Sequence, residues 1–558
     1  MLPSEQVPTH TSAHFTPVQL QRLQRYGTAS DALQGEILYR PGDPTYDMIL
    51  LESGSAEVVK DGDDGATVIA TEAAGGFLGE MGLLSRQAVY LTGRMTSAGR
   101  IRRIDPVSLR RLMAEDAELS EILLTTFMAR REELKASAAL SLVLVGVERS
   151  AASLALKTFA ARLQLPHRWL DADADDAAQV MAANGASRDE LPVAVTSTGV
   201  LLRATPGTLS ERLGLSFRLG QGSDEVDLVV VGAGPGGLAA AVYGASEGLN
   251  TALLDAVGPG GQAAASSRIE NYLGFPNGLS GGDLIARAQI QALKFGASIY
   301  SPCEVTGIDS DGEFHTVALA DGSIIRARAV IAATGARYRT LPLPRWADFE
   351  GAGIYYAATE IETRRLAGLP ATVVGGANSA GQAAIFLASK GCAVEIVIRG
   401  ADISAGMSSY LVDRIAADPM ITVHTSTRVT ALHGASFLTH LDFTDGSGAA
   451  VTHPAAALFC FIGAIPASEW LGEVARDSSG FVLTDSSIPD DSLSEAWEAA
   501  NRRPLPFETS IPRIFAVGDL RHGSMKRVAA AVGEGASAVA STHAAIAAER
   551  ITDKDNDK

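Results

Sequence analysis

The sequence predicts an α/β protein with two doubly wound nucleotide-binding domains, preceded by a β-roll and a smaller α/β module. Three observations predict it. From Val226 onward, apolar strands alternate with helices. Two glycine-rich turns, at Gly232 and Gly375, each follow an apolar strand and open an Ala-rich helix. The chain has 558 residues, enough at ~100–200 per domain for several separate cores.

Composition narrows the function classes. A hydrophobic fraction of 46% with 20% charged residues describes a globular chain, not a disordered one. The 46 Lys+Arg against 64 Asp+Glu leave a net charge of −18, so nucleic acid is not an expected partner. The three cysteines, at 303, 392 and 460, exclude a disulfide scaffold and leave no CxxC pair. Such sparse cysteine use fits a reducing cytoplasm. The opening segment MLPSEQVPTHTSAHF has neither the basic nor the apolar region of a signal peptide. Leu228–Ala245 is uncharged, but its five glycines and Pro235 read as strand, turn and helix. No membrane partner is expected.

Residues 15–135 read as short strands followed by helices. Gly35–Asp43 and Tyr46–Val59 alternate apolar and polar side chains, Gly62–Glu80 adds a hairpin-like pair, and 104–140 reads as one helical stretch. Residues 140–220 read as strand, helix, strand, helix, hairpin, helix, and SFRLGQGSDE as a linker. The tail TDKDNDK is polar.

The first glycine turn is DLVVVGAGPGG. Gly232 permits the tight turn, Gly234 lets the backbone approach a pyrophosphate, and Gly237 lets helix and strand pack closely. The helix N-terminus offers free N–H groups to phosphate. The next strand ends in Asp255, 23 residues after Gly232, where a carboxylate meets an adenosine ribose hydroxyl. The second turn, VVGGANSAG, carries Gly375, Gly376 and Ala380, but Ala377 replaces the middle glycine. Its next strand ends in Arg399, a cation suited to a 2′-phosphate. NADPH is therefore expected over NADH, with NADH still open. In a third element, IFAVGDL, Gly518-Asp519 ends a strand, and Asp519 is placed to accept from a ribityl hydroxyl.

The motifs GAGPGGLAAAVYGASEG, GGQAAASSRIENYLGFPNGLSG (Gly260–Gly281), ATG (Ala333–Gly335), GGANSAG and VGDLRHGSMKRVAAAVGEG together resemble bacterial thioredoxin reductases over roughly residues 224–550. The resemblance implies an FAD domain in two parts, 224–345 and 467–550, around an NAD(P)H domain at 346–466, and a homodimer. It places Gly232, Gly234, Gly237 and Asp255 at the ADP half of FAD. It brings Gly261, Gln262 and Asn271 to the isoalloxazine or ribityl side, has Thr334 and Gly335 close the FAD site, and sets Gly518-Asp519 at the ribityl chain. Gly375, Asn378, Ser379 and Arg399 fall to NADPH. Residues 15–135 resemble a cyclic-nucleotide-binding domain. Residues 140–220 resemble a thioredoxin or glutaredoxin-like domain, with Leu191-Pro192 where that fold places its cis-proline.

The chain departs from that pattern at its redox positions. Ala357 and Glu360 stand where the reductases carry their CxxC dithiol, and neither forms a thiolate or mixed disulfide. Glu148, Arg149, Ser150 and Ser153 occupy the redox turn of the thioredoxin-like segment. In the first module, Val89 and Tyr90 replace the Arg-Ser/Thr pair that would neutralise a cyclic phosphate. Weak or no cyclic AMP binding is expected, with Arg86 or Arg94 as candidate substitutes. The expected function is an FAD-dependent NAD(P)H oxidoreductase that passes electrons to an external acceptor, foremost a ferredoxin or flavodoxin-type carrier. Lys526-Arg527 is placed to steer an acidic carrier. Two alternatives stand beside it: a redox or nucleotide sensor signalling through the first two modules, and a thioredoxin-disulfide reductase using cysteines of a partner.

Overall fold

The computed structural model describes residues 12–43, 46–60, 66–80, 82–85, 89, 91–136, 142–148, 150–163, 165–196, 199–213, 215, 225–265, 269, 272–310, 312–356, 358, 363, 366, 368–446 and 448–556. Tyr90, Arg86, Arg149, Asn271, Ala357 and Glu360 lie outside the described residues. The fold is α/β throughout its larger part, with antiparallel sheets at the amino-terminal end.

Two four-stranded antiparallel sheets form the first module. Thr67–Ala73 and Phe77–Leu78, expected to pair with each other, join different sheets. The first pairs with Ser55–Lys60 and the second with Met48–Leu51. The glycines at 75 and 76 turn the chain between them. The helical stretch at 104–140 is broken at Asp116, whose extended backbone ends Pro106–Glu115 and whose Oδ1 accepts from the Leu119 N–H of Ala117–Ala136. An Asp at such a break favours a cap over a continued helix. The core beneath these helices buries Met48, Phe77, Leu109 and Phe127. It also takes in Leu293, from the helix Gly281–Phe295 of the following domain.

The second module has strand order Arg168–Asp171, Val143–Gly146, Val193–Thr196, Gly199–Leu201, parallel at the first pairing and antiparallel at the other two. The Leu191-Pro192 bond is cis. Ala151–Arg162 packs Leu156, Phe159 and Ala160 onto this sheet.

The main sheet has seven strands. Ser298–Tyr300, Thr251–Leu254, Glu225–Val231 and Ile324–Ala332 run parallel, His315–Leu319 and Val305–Ser310 add antiparallel pairings on the other side of Ile324–Ala332, and Ile514–Ala516 pairs parallel beside Val330–Ala332. The last strand thus comes from nearly 200 residues downstream of its neighbour, across an intervening sheet. That sheet is wholly parallel, in the order Ile354–Tyr355, Ala457–Cys460, Pro370–Val374, Ala393–Val397, Ile421–His424. The central parallel strands of both sheets, Glu225–Val231 and Pro370–Val374, are largely apolar and mostly buried, as helix-covered parallel strands require. A two-stranded link, Ala336–Tyr338 with Ala464–Pro466, joins the two sheets. Among the described residues, no helix is long and apolar enough to cross a membrane.

Candidate functional site

The carboxyl ends of the parallel strands in both sheets open into one cavity of about 2220 Å³, lined by both glycine turns. Small-ligand pockets are usually ~300–1,000 Å³, so the space suits two dinucleotides.

At the first turn each glycine has a distinct constraint. Gly232 takes φ +101°, and a Cβ there would lie 2.5 Å from the Ala333 carbonyl oxygen. A Cβ on Gly237 would lie 1.8 Å from the Gly232 carbonyl oxygen, so helix Pro235–Ser246 crosses its own strand at backbone contact. A Cβ on Gly234, the N-cap, would meet nothing within 4 Å and would project into open space. The Asp255 carboxylate accepts from the N–H groups of Ala233 (2.8 Å), Val257 (2.9 Å) and Gly258 (2.7 Å). A carboxylate has about four lone-pair sites, so one remains for a ribose hydroxyl.

The second turn repeats the first with two substitutions. Gly375 has φ +142°, with a Cβ position 2.4 Å from the Phe461 carbonyl oxygen. Ala377 is the N-cap of Asn378–Ser389 and lines the cavity, so its methyl group stands where Gly234 leaves the backbone bare. The strand partner of Val374 is Val397, which puts the buried Ile398, not an acid, at the place corresponding to Asp255. Arg399 follows it, exposed on the cavity wall, and Arg428 lines the same wall.

The remaining expected residues divide into wall and support. Gly261, Gln262, Thr334, Gly335, Gly518 and Asp519 line the cavity. Gln262 donates to the Ala336 carbonyl (2.8 Å) and accepts from the Tyr338 hydroxyl (2.7 Å). Thr334 donates to the Ala467 carbonyl at 2.6 Å, fastening one domain crossing to the other. Burial raises the Asp519 carboxyl above its ordinary range, with Lys526 opposing and Glu534 adding to the shift. Gly237, Asn378 and Ser379 do not line the cavity. Asn378 instead accepts from the Ser408 N–H at 2.8 Å, holding the helix start to a neighbouring loop.

Four residues escaped the sequence reading. Tyr338 stacks on Tyr356 with ring centroids 5.0 Å apart and planes 3° off parallel, and both line the cavity. Tyr356 directly precedes the expected dithiol position. Burial raises both phenols, so they stay protonated at neutral pH. Glu534 accepts from the Gly518 N–H (2.7 Å), Ser524 (2.8 Å) and Arg521 (2.9 Å), fixing the turn that carries Asp519. Arg162 enters the cavity wall from the second module. Tyr338 had a signal, its place two residues after the ATG-Ala run; Arg162, 70 residues before Gly232, had none.

The three cysteines are free and buried. Burial pushes the Cys303 thiol up to about 12 and the Cys460 thiol up to about 11, from an ordinary 9.0. Asp321 and Asp255 add to the first shift, and a backbone hydrogen bond at Ile462 opposes the second. Native protein at pH 8 is therefore expected to react with no equivalent of an aromatic disulfide thiol reagent, and with all three after unfolding. A fast-reacting native thiol would contradict this assignment. Because folding raises these pKa values, their contribution is complete below about pH 9, and it is lost as pH rises from there towards the folded values.

The donors present fit a flavin dinucleotide. A bare glycine faces the cavity at a helix N-terminus, one carboxylate keeps a free lone pair, and a second, the half-buried Asp519, lines the same cavity.

The family model described as pyridine nucleotide-disulphide oxidoreductase matches residues 226–535, and that of the cyclic nucleotide-binding domain matches 31–116. Thioredoxin reductase of Streptomyces clavuligerus is 31% identical over 319 residues, covering 57% of this chain and 92% of its own length. NADPH-dependent thioredoxin reductase 3 of Arabidopsis thaliana is 30% identical over 343 residues, 59% of either chain. The solved thioredoxin reductase of Lactococcus lactis is 25% identical, covering 58% of this chain and 99% of its own, with a TM-score of 0.48. With more than half its length matched, the chain belongs to the pyridine nucleotide-disulphide oxidoreductases, in a thioredoxin-reductase-like form.

Proposed function

We propose that this chain is an FAD-dependent NADPH oxidoreductase that delivers electrons to an external acceptor, a small redox protein of the ferredoxin or flavodoxin type. The observation that carries the reading is the shared cavity, which puts two dinucleotide-type glycine turns on one continuous wall. FAD, when bound, supplies a two-electron acceptor for a nicotinamide hydride and a donor to the carrier. The chain binds and orients. Gly232–Gly237 presents backbone N–H groups to the pyrophosphate, and Asp255 accepts from the adenosine ribose. Asp519 accepts from the ribityl chain, and Gln262, held by Tyr338, sets the edge near the ring system. Arg399 and Arg428 flank the place of a 2′-phosphate, and the seat that corresponds to Asp255 holds Ile398 in place of a ribose-binding acid, although Asp402 lines the same wall.

The acceptor is external because the chain has no CxxC and its thiols are buried. For the first module the reading is weak or no cyclic nucleotide binding, argued from its described residues. Among those residues its cavity is about 50 Å³, lined by Tyr39 and Tyr46, and Glu80, the candidate acceptor for a ribose 2′-OH, is engaged by Arg131 at 3.0 Å and the Gly82 N–H at 2.7 Å. Arg94, a candidate substitute for the phosphate arginine, is paired with Glu57 at 2.7 Å.

The test is anaerobic mixing of the purified holoprotein with NADPH. Rapid loss of the visible flavin band is expected, followed by turnover with a ferredoxin. A band unchanged by both NADPH and NADH would end the reductase reading. Turnover only with thioredoxin would favour a dithiol supplied in trans. The sensor reading has one observation in its favour, the flavin-domain residue Leu293 inside the first module's core. It predicts flavin reduction with no turnover on any acceptor.

A further inference from the structure

The second module does more than separate the first from the nucleotide domains. Its helix Ala151–Arg162 ends at the flavin cavity. Arg162 Nη1 lies 3.3 Å from the Gly258 carbonyl oxygen and Nη2 lies 3.4 Å from that of Gly261. Both bonds are long for N–H···O, so a guanidinium with five donors has only two weak neutral acceptors. No carboxylate forms an ion pair with it among the described residues. Asp255 acts on it only through its field, while burial disfavours its charge. A half-buried cation this weakly matched, on the wall of the cavity, is placed to take an anion there.

The position shows which anion. The loop Arg162 holds is the one that backs Gly234, since a Cβ on Gly261 would come within 3.2 Å of the Gly234 Cα. Gly234 is the bare backbone position of the first glycine turn. Arg162 therefore faces the phosphate-bearing half of the site. The module is anchored for this task at two further points. Buried Ser210 donates to the Ser301 carbonyl at 2.9 Å, and Leu154 fills the space a Cβ on Gly351 would take.

We propose that the second module supplies part of the dinucleotide site, with Arg162 as a phosphate-binding residue for the ADP half of FAD. This rests on the flavoprotein reading above. It assigns a binding role to a segment whose own redox positions carry no cysteine.

The test uses the full chain and reads flavin affinity by fluorescence titration of protein stripped and reloaded with FAD. Arg162→Ala is expected to weaken FAD binding about 10- to 100-fold, the range of a charge-assisted contact to phosphate. Arg162→Glu should be weaker still, and Arg162→Lys should fall between Ala and wild type. Ser210→Ala removes a docking bond without touching the cavity and should stay within about 3-fold of wild type. An Arg162→Ala protein with wild-type affinity overturns the inference. So does a Ser210→Ala loss equal to that of Arg162→Ala, which would make the effect one of docking. If the wild type itself takes up no flavin, the flavoprotein reading fails instead.

Discussion

Gly234→Val is expected to yield a folded but colourless protein, whereas Gly237→Val is expected not to fold. The two residues are three apart on one turn and differ only in what lies beside them. At Gly234 a new side chain meets no protein atom within 4 Å, so the apoprotein tolerates it. Its isopropyl group then occupies the volume into which a pyrophosphate must come to reach the N–H groups of Pro235–Ser246. At Gly237 the first carbon alone would sit 1.8 Å from a backbone oxygen. Neither strand nor helix can yield, because Val229–Val231 and Leu238–Ala241 are buried in the same sheet and helix layers. Overpacking typically costs ~1–3 kcal/mol where side chains can shift, and a backbone clash exceeds that range. Circular dichroism melting and the flavin-to-protein absorbance ratio separate the outcomes. A yellow Gly234→Val protein would remove this turn from the FAD site.

Glu534→Ala is the second large effect. This carboxylate holds the Gly518 N–H, the Ser524 hydroxyl and the Arg521 guanidinium at once. Its removal leaves a mostly buried arginine without its partner. Breaking a buried pair costs ~3–5 kcal/mol. The side-chain exposures of 18% and 11% put this pair at the lower end, about 3 kcal/mol. That corresponds to roughly 6–12 °C in Tm for a domain of this size. Because the same turn carries Asp519, flavin retention should fall with it. Glu534→Gln, which keeps two acceptor contacts, should recover part of both. A Glu534→Ala protein with unchanged melting and full flavin would show that the turn is held by its neighbours alone.

Local chemistry was legible wherever function depends on a residue's own neighbours in the chain. The turn Gly232–Gly237 is an instance: the strand before it, the helix after it and the constraints at Gly232 and Gly237 follow from short-range sterics. Asp255 was legible because a strand of fixed rise carries it to the sheet's edge a set distance after the turn. Arg399 was placed on the cavity wall by the same logic. Its register hid that Ile398, one residue earlier, holds the corresponding seat. The helix break at Asp116 was missed because the apolar pattern continues through it. The partner strands of Thr67–Ala73 were missed because a hairpin's sequence does not say which sheet each arm joins.

The sequence by itself determined the α/β class, the two glycine turns, the missing dithiol spacing and the acidic, cysteine-poor character of the chain. Those properties reside in composition and in contacts a few residues apart. Only the tertiary structure decided that both turns open into one cavity, that Tyr338 stacks on Tyr356, that Glu534 clamps the Asp519 turn, and that Arg162 reaches the carbonyls of Gly258 and Gly261. Each of these joins residues whose separation along the chain bears no relation to their separation in space. Their meeting is set by how whole helices and sheets bury apolar faces against one another, and no local pattern encodes that.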